Sequence, residues 1–135
     1  MICEATPEQV EYICKNMRES DKEELLTLYP ASTDYYFLLF IRSTCYCLMM
    51  DKPICLFGFT DRGDTKEWWV IATEEIKKHF ITALRESKYI FEHDKVMAHV
   101  HDKNTLSAKW LKWLGMVKES SFEVNGKIFD RWVKL

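Results

Sequence analysis

The sequence predicts a mixed α/β domain: a central sheet of antiparallel and parallel strands with helices on both faces. Three observations predict it. Between Thr44 and Thr73 three short strand-like runs are separated only by turn residues, as in an antiparallel meander. Helix-period segments then alternate with strand-like runs, which requires parallel crossovers. The chain closes around Asn125-Gly126, the strongest short hairpin signal, because both central residues of a type I′ turn need positive φ. The predicted order is β-α-α-β-β-β-α-β-α-β-β.

The elements follow in order. "ICEATPEQ" reads as a brief strand and then a helix start, with Thr6 as N-cap, Pro7 at N1 and Gln9 completing a capping box. Val10, Ile13, Cys14 and Met17 form the apolar stripe of that helix. "ESDKEELLTLY" offers Ser20 or Asp21 as the cap of a second short helix ended by Pro30. Asp34 to Arg42 is apolar nearly all round, and Ser32 or Thr33 can cap it as a buried helix. Strands are expected over 44–50, 54–60 and 67–73, with Asp51-Lys52-Pro53 and Asp61-Arg62-Gly63-Asp64 as turns. Thr73 is the expected cap of a helix over 74–87 that turns Ile76, Phe80, Ala83 and Leu84 inward. "KVMAHVH" is the next strand. Asn104 then caps a helix with Leu106, Trp110, Trp113 and Leu114 on its buried side, and Gly115 supplies the left-handed residue that ends it.

The 135 residues suit one domain, 1–135, that buries roughly two thirds of its unfolded surface without a metal or disulfide. Hydrophobic residues make up 47% and glycines number only four, a globular composition with no linker or repeat. A net charge of −2 gives no bulk attraction to nucleic acid, and "YYFLLFI" is too short to span a bilayer. No membrane or nucleic-acid partner is expected. Cys3, Cys14, Cys45, Cys47 and Cys55, odd in number and in apolar contexts, read as reduced core residues. Cys45 and Cys47 share a strand face, but no second ligand pair has zinc spacing, so no metal is expected.

Few side chains carry a chemical signal. Glu67, at the start of "EWWVIAT", is a candidate general base for an amine or else a solvated strand-end carboxylate. His99 and His101 share a strand face, where they form a candidate base, a weak two-ligand metal site, or simply half-buried packing histidines. His79 and His93 have no informative spacing. The five tryptophans could stack nucleic-acid bases, yet Trp110 and Trp113 belong to a core stripe and Trp68 and Trp69 must face opposite sides of the sheet. Lys103, Lys109, Lys112 and Lys118 cluster around the last helix as a solvated face or an anion patch. Tyr35, Tyr36, Phe37 and Phe40 form an apolar set suited to burial, a protein partner or self-association.

The element order, together with Asn104, Ser107, Leu111, Gly115 and Met116 in "NTLSAKWLKWLGM", resembles the GNAT N-acetyltransferase superfamily over the whole chain. "NMRESDKEEL", "EWWVIATEE" and "FITALRE" look like the small GNAT-like internal virion or morphogenesis proteins of short-tailed bacteriophages. The family resemblance implies acetyl transfer from acetyl-CoA to an amine. Cofactor contacts are then implied at Ile71, Ala72 and Thr73 and at Asn104 and Ser107, beside the general-base candidate Glu67. Two departures are visible. The family's Gly-rich diphosphate loop is replaced by "WWVIATEEIKKHF", whose Glu74 and Glu75 fill the helix's first turn, and Leu111 stands where many relatives place a proton-donating Tyr. The leading expectation is therefore a phage-encoded GNAT-fold protein with a degenerate acetyl-CoA site and no bound cofactor. It would sit in the host cytoplasm or the virion and contact phage virion or host proteins, or itself, in assembly, genome delivery or host manipulation. The alternative expectation is an active acetyl-CoA-dependent N-acetyltransferase acting on a protein or small-molecule amine.

Overall fold

The computed structural model describes residues 2–28, 43–91 and 95–134. The helix expected over Asp34 to Arg42, the aromatic set Tyr35, Tyr36, Phe37 and Phe40, and His93 lie outside the described residues. Among the described residues, four helices and seven strands follow the order β1 (Ile2–Glu4), α1 (Pro7–Lys15), α2 (Glu19–Leu28), β2 (Ser43–Met49), β3 (Pro53–Asp61), β4 (Lys66–Ala72), α3 (Ile76–Ile90), β5 (Val96–His101), α4 (Thr105–Trp113), β6 (Val117–Val124), β7 (Lys127–Lys134). One mixed sheet runs β1-β2-β3-β4-β5-β7-β6, antiparallel except where β4 meets β5. The expected fold class is the observed one.

Local signals set the boundaries. Thr6 and Gln9 close the capping box that starts α1, and Asn104 caps α4 by accepting from the Ser107 N–H at 3.1 Å. Gly115 takes φ +89°, and the β6–β7 turn uses Asn125 at φ 50° and Gly126 at φ 80°. Three expectations need correction. Thr73 does not cap α3: its hydroxyl donates to the Ile54 carbonyl at 3.0 Å and its backbone bridges Met17, so it ends the strand and the helix begins three residues later. Neither Ser20 nor Asp21 caps α2, which begins at Glu19 and carries Asp21 inside its first turn. The buried face of α4 is Ser107, Trp110, Leu111 and Leu114, an i, i+3, i+4, i+7 set, whereas Trp113 is 49% exposed. Its indole reaches the Leu84 carbonyl at 3.1 Å while Lys88 covers the ring, so a polar tip and a cation hold it at the rim.

Strand alternation builds a core on each face. Phe57, Trp68, Trp110 and Trp132 pack under α3 and α4, and the Trp110 indole donates to the buried Ser87 hydroxyl at 2.9 Å, pinning the two helices together. Leu56, Ile71, Cys45 and Cys47 pack under Val10 and Ile13 of α1. Trp68 and Trp69 do face opposite sides. Of the five thiols, Cys45, Cys47 and Cys55 are buried as expected, Cys14 is half-buried and Cys3 is exposed. No helix among the described residues is long and apolar enough to cross a membrane.

Candidate functional site

The sheet opens at its centre. The parallel ladder pairs Lys66 with Val96 and Glu67 with Met97 and then stops, so β4 and β5 splay apart toward their C-terminal ends. The Ala72 N–H points to the β5 side and the Thr73 N–H points to the Ile54 carbonyl of β3. By the two-residue alternation of a strand, the backbone groups of Val70 also face the opening. The gap holds a cavity of about 70 Å³, lined among others by Glu67, Trp69, Ile71, His99 and Ser107. Such a space holds a few waters rather than an extended ligand. The indole N–H groups of Trp68 and Trp69, both on its wall, have no hydrogen-bond partner among the described residues. Buried donors of this kind ask for an acceptor.

Glu67 sits at the point of divergence, its side chain only 15% exposed. Arg62 holds one carboxylate oxygen from Nη2 at 2.7 Å and from Nε at 2.9 Å, while His99 Nδ1 lies 3.5 Å from the other. Burial pushes the carboxyl up, but the hydrogen bonds and charges of His99 and Arg62 outweigh it and hold Glu67 below the ordinary carboxylate range. An anchored, ionised Glu67 is a weak proton acceptor. It is well placed to orient His99, whose ring lies edge-on to Phe122. His101, on the same strand face, accepts the Lys103 N–H at Nδ1 and packs on Phe129, apart from this pair. No three metal-ligating side chains converge among the described residues.

From the other side α2 reaches into the opening. Arg18 and Asp21 form a buried bidentate pair at 2.7 and 3.1 Å, and Asp21 also accepts the Ala72 N–H at 2.8 Å while the Arg18 N–H donates to the Ala72 carbonyl. Glu24 accepts the His101 N–H at 3.0 Å and the Asn104 Nδ2 at 2.8 Å. Burial raises Glu24 to about 7 against the pull of Asn104. The two carboxylates thus cap the inner edges of β4 and β5. They share one face of α2 with Leu25, the i, i+3, i+4 pattern of an acid pair on an apolar stripe. Sequence reasoning missed all three polar residues; that pattern in "RESDKEEL" was the available signal.

At the mouth, between α3 and α4, a groove of about 350 Å³ is lined by Arg18, Lys77, Phe80, Lys103, Asn104 and Lys109, among others. Lys103 and Lys109 have no carboxylate partner among the described residues. The first turn of α3 is different: the N–H groups of Ile76, Lys77 and Lys78 already donate to the carbonyls of Thr73, Glu74 and Glu75. Glu74 and Glu75 pair with Lys77 and Lys78 beside them. This helix end offers a diphosphate few free donors and like charge. Of the residues expected to touch a cofactor, Ile71 and Ser107 reach the cavity, Asn104 lies at the mouth and caps α4, and Ala72 and Thr73 have their amides engaged by Asp21 and Ile54. Leu111 is buried in the α4 stripe and also lines the cavity.

No family model matches the chain, and no curated protein sequence matches it. Solved structures do match its fold. An acetyltransferase of the GNAT family from Bacillus cereus superposes with a TM-score of 0.70 at 11% identity, covering 100% of this chain and 97% of that one. A ribosomal-protein-alanine N-acetyltransferase from Brucella melitensis gives 0.70 at 12%, covering 100% and 99%. A spermidine N-acetyltransferase from Vibrio cholerae, in complex with CoA and spermine, gives 0.65 at 16%, covering 98% and 93%. The chain has the GNAT fold.

Proposed function

We propose that the protein is an acyl-CoA-dependent N-acyltransferase whose acceptor is an amine. The observation that carries this reading is the early end of the β4–β5 ladder, which creates a cleft with Glu67 and His99 inside it and, at its mouth, Lys103 and Lys109 without a carboxylate partner among the described residues. The fit to acetyl-CoA is uneven. Lys103 and Lys109 suit its phosphates, and Val70 with the Trp68 and Trp69 indoles, which have no partner among the described residues, suits a carbonyl-bearing arm between the strands. The first turn of α3 does not suit the diphosphate, so the phosphates would lie against the lysines instead. When bound, the group supplies an activated acetyl thioester.

The chain's own residues then have distinct roles. Glu67, held ionised and only 15% exposed, is the negative charge inside the cavity that a cationic amine meets. Amines at neutral pH are protonated and cannot attack a carbonyl. A carboxylate at His99 Nδ1 favours the tautomer with a bare Nε2, which can take the amine's proton, and Arg62 keeps Glu67 ionised for that task.

Titration with acetyl-CoA, followed by calorimetry and thermal unfolding, tests the reading. Saturable binding with stabilisation on the order of 10 °C at a hundredfold excess over Kd is expected for a domain of this size. Absence of both would overturn it. A second reading is favoured by the engaged strand edges and the carboxylate-rich turn of α3: a protein with a closed cofactor site that acts by contacts, as the phage resemblance implies. Failure to bind acetyl-CoA, together with recovery of the chain from purified phage particles, would favour that reading.

A further inference from the structure

We propose that α2 is a displaceable latch: Asp21 and Glu24 occupy the strand edges that a ligand between β4 and β5 must use, and α2 swings away when that ligand enters. The inference rests on the acyl-CoA reading and concerns regulation of the same site. Beyond Glu67 and Met97 the two strands no longer satisfy each other, yet buried amides must find partners. The partners come from α2 and from Arg18 just before it. The Ala72 N–H goes to Asp21, the Ala72 carbonyl receives the Arg18 N–H at 2.8 Å, and the His101 N–H goes to Glu24. An extended ligand carrying amides or carbonyls would make the same kinds of bond on the same edges, so it and α2 compete for one place.

The way α2 is held makes it separable from the sheet. From Glu19 to Thr27 only Asp21 is buried, Leu26 is half exposed, and among the described residues Leu25 is the single one of that span packed against a core cluster. The other ties among the described residues are polar: Glu24 to His101 and Asn104, Lys127 to Glu23 at 3.8 Å, and Asn125 Nδ2 to the Thr27 carbonyl at 3.1 Å. Polar ties exchange for water or ligand groups at small net cost, unlike apolar burial. Elements fixed in this way open far below global unfolding. The two ends of the site are also linked, because Asn104 both caps α4 beside the cationic groove and donates to Glu24.

Backbone hydrogen exchange on the full chain, with and without saturating CoA, tests the latch. In the free protein the amides of Ala72 and His101 should be protected. With CoA bound, residues 19–27 should exchange at least tenfold faster while β3 and β7 stay protected. Calorimetry on two variants supplies the second measurement. Glu24→Ala removes the tie to His101 and Asn104 and should bind CoA about tenfold more tightly, since less of the population is held closed. Glu24→Gln keeps an oxygen for the same two donors and should bind like the parent. CoA binding with unchanged α2 exchange, or with equal affinity for the parent and Glu24→Ala, would overturn the latch and leave the acyl-CoA reading standing. If neither the parent nor Glu24→Ala binds CoA, the acyl-CoA reading falls and the latch with it.

Discussion

At the scale of single residues, the environment of each carboxylate decides its chemistry. Glu67 is held ionised by Arg62 and His99, so it serves better as an orienting group than as a base. Under the acyltransferase reading, His99→Ala should lower kcat by roughly 10²- to 10⁴-fold, the usual worth of a positioned proton acceptor. Glu67→Gln should cost less and shift the pH profile of kcat/KM, because the amide still fills the place but no longer fixes the imidazole tautomer. Steady-state kinetics across pH would check both. Glu24 behaves in the opposite way. Its folded value of about 7 lies above its ordinary value of 4.5, so between these limits the native chain holds the proton more tightly than the unfolded one. Stability from this group is therefore full below about 4.5 and is lost as pH rises through about 7. Asp21, Arg18, Asn104 and the His101 N–H face Glu24 and share this balance. Denaturant unfolding at pH 5 and pH 8 should show a loss on the order of 2 kcal/mol in the parent that is absent from Glu24→Gln, after allowance for partial exposure. Equal slopes would contradict it.

At the scale of elements, the close approach of β2 and β3 is a steric demand. A Cβ on Gly58 would stand 1.8 Å from the Thr44 carbonyl oxygen, a backbone atom that can yield only if the strand pairing moves. Gly58→Ala should therefore lower stability by about 1–3 kcal/mol, as overpacking does, with a lowered denaturant midpoint as the readout. Elements whose signals lie within a few residues were legible in the sequence: the Thr6 and Gln9 box, the Asn104 cap and the Asn125-Gly126 turn all appear where expected. The Thr73 cap was not, because a hydroxyl at a strand–helix junction has two uses, and the neighbouring Ile54 carbonyl took it. Trp113 was misplaced for a related reason. Helical periodicity locates the centre of a buried face well and its edge poorly, and an indole tolerates the edge. The site was less legible than the fold. Asp21 and Glu24 sit in an acidic run that reads as a solvated face, and their partners lie 51 and 77 residues away. The i, i+3, i+4 spacing in "RESDKEEL" gathers the acids on one helix face but does not name their partners, which meet them only once the sheet has opened.

At the scale of the whole molecule, a net charge of −2 conceals a division of charge along the cleft. Asp21, Glu24 and Glu67 line its interior, while Lys77, Lys103 and Lys109 gather at the mouth between α3 and α4. A ligand with an anionic end and a neutral arm is oriented by that division before it makes any short contact. Since α3's first turn lacks free donors, the lysines must supply most of the attraction for phosphate, and they do so in solvent, where salt screens them. Lys103→Glu combined with Lys109→Glu should therefore weaken CoA binding at least tenfold. It should also flatten the dependence of affinity on salt between 50 and 300 mM, roughly the range over which the screening length falls from above 10 Å to near 5 Å. The same pair should leave thermal stability nearly unchanged, because both side chains are exposed and neither has a carboxylate partner among the described residues. Affinity and salt slope identical to the parent would mean that phosphate binds elsewhere, and the helix terminus with its two glutamates would have to be reconsidered as its seat.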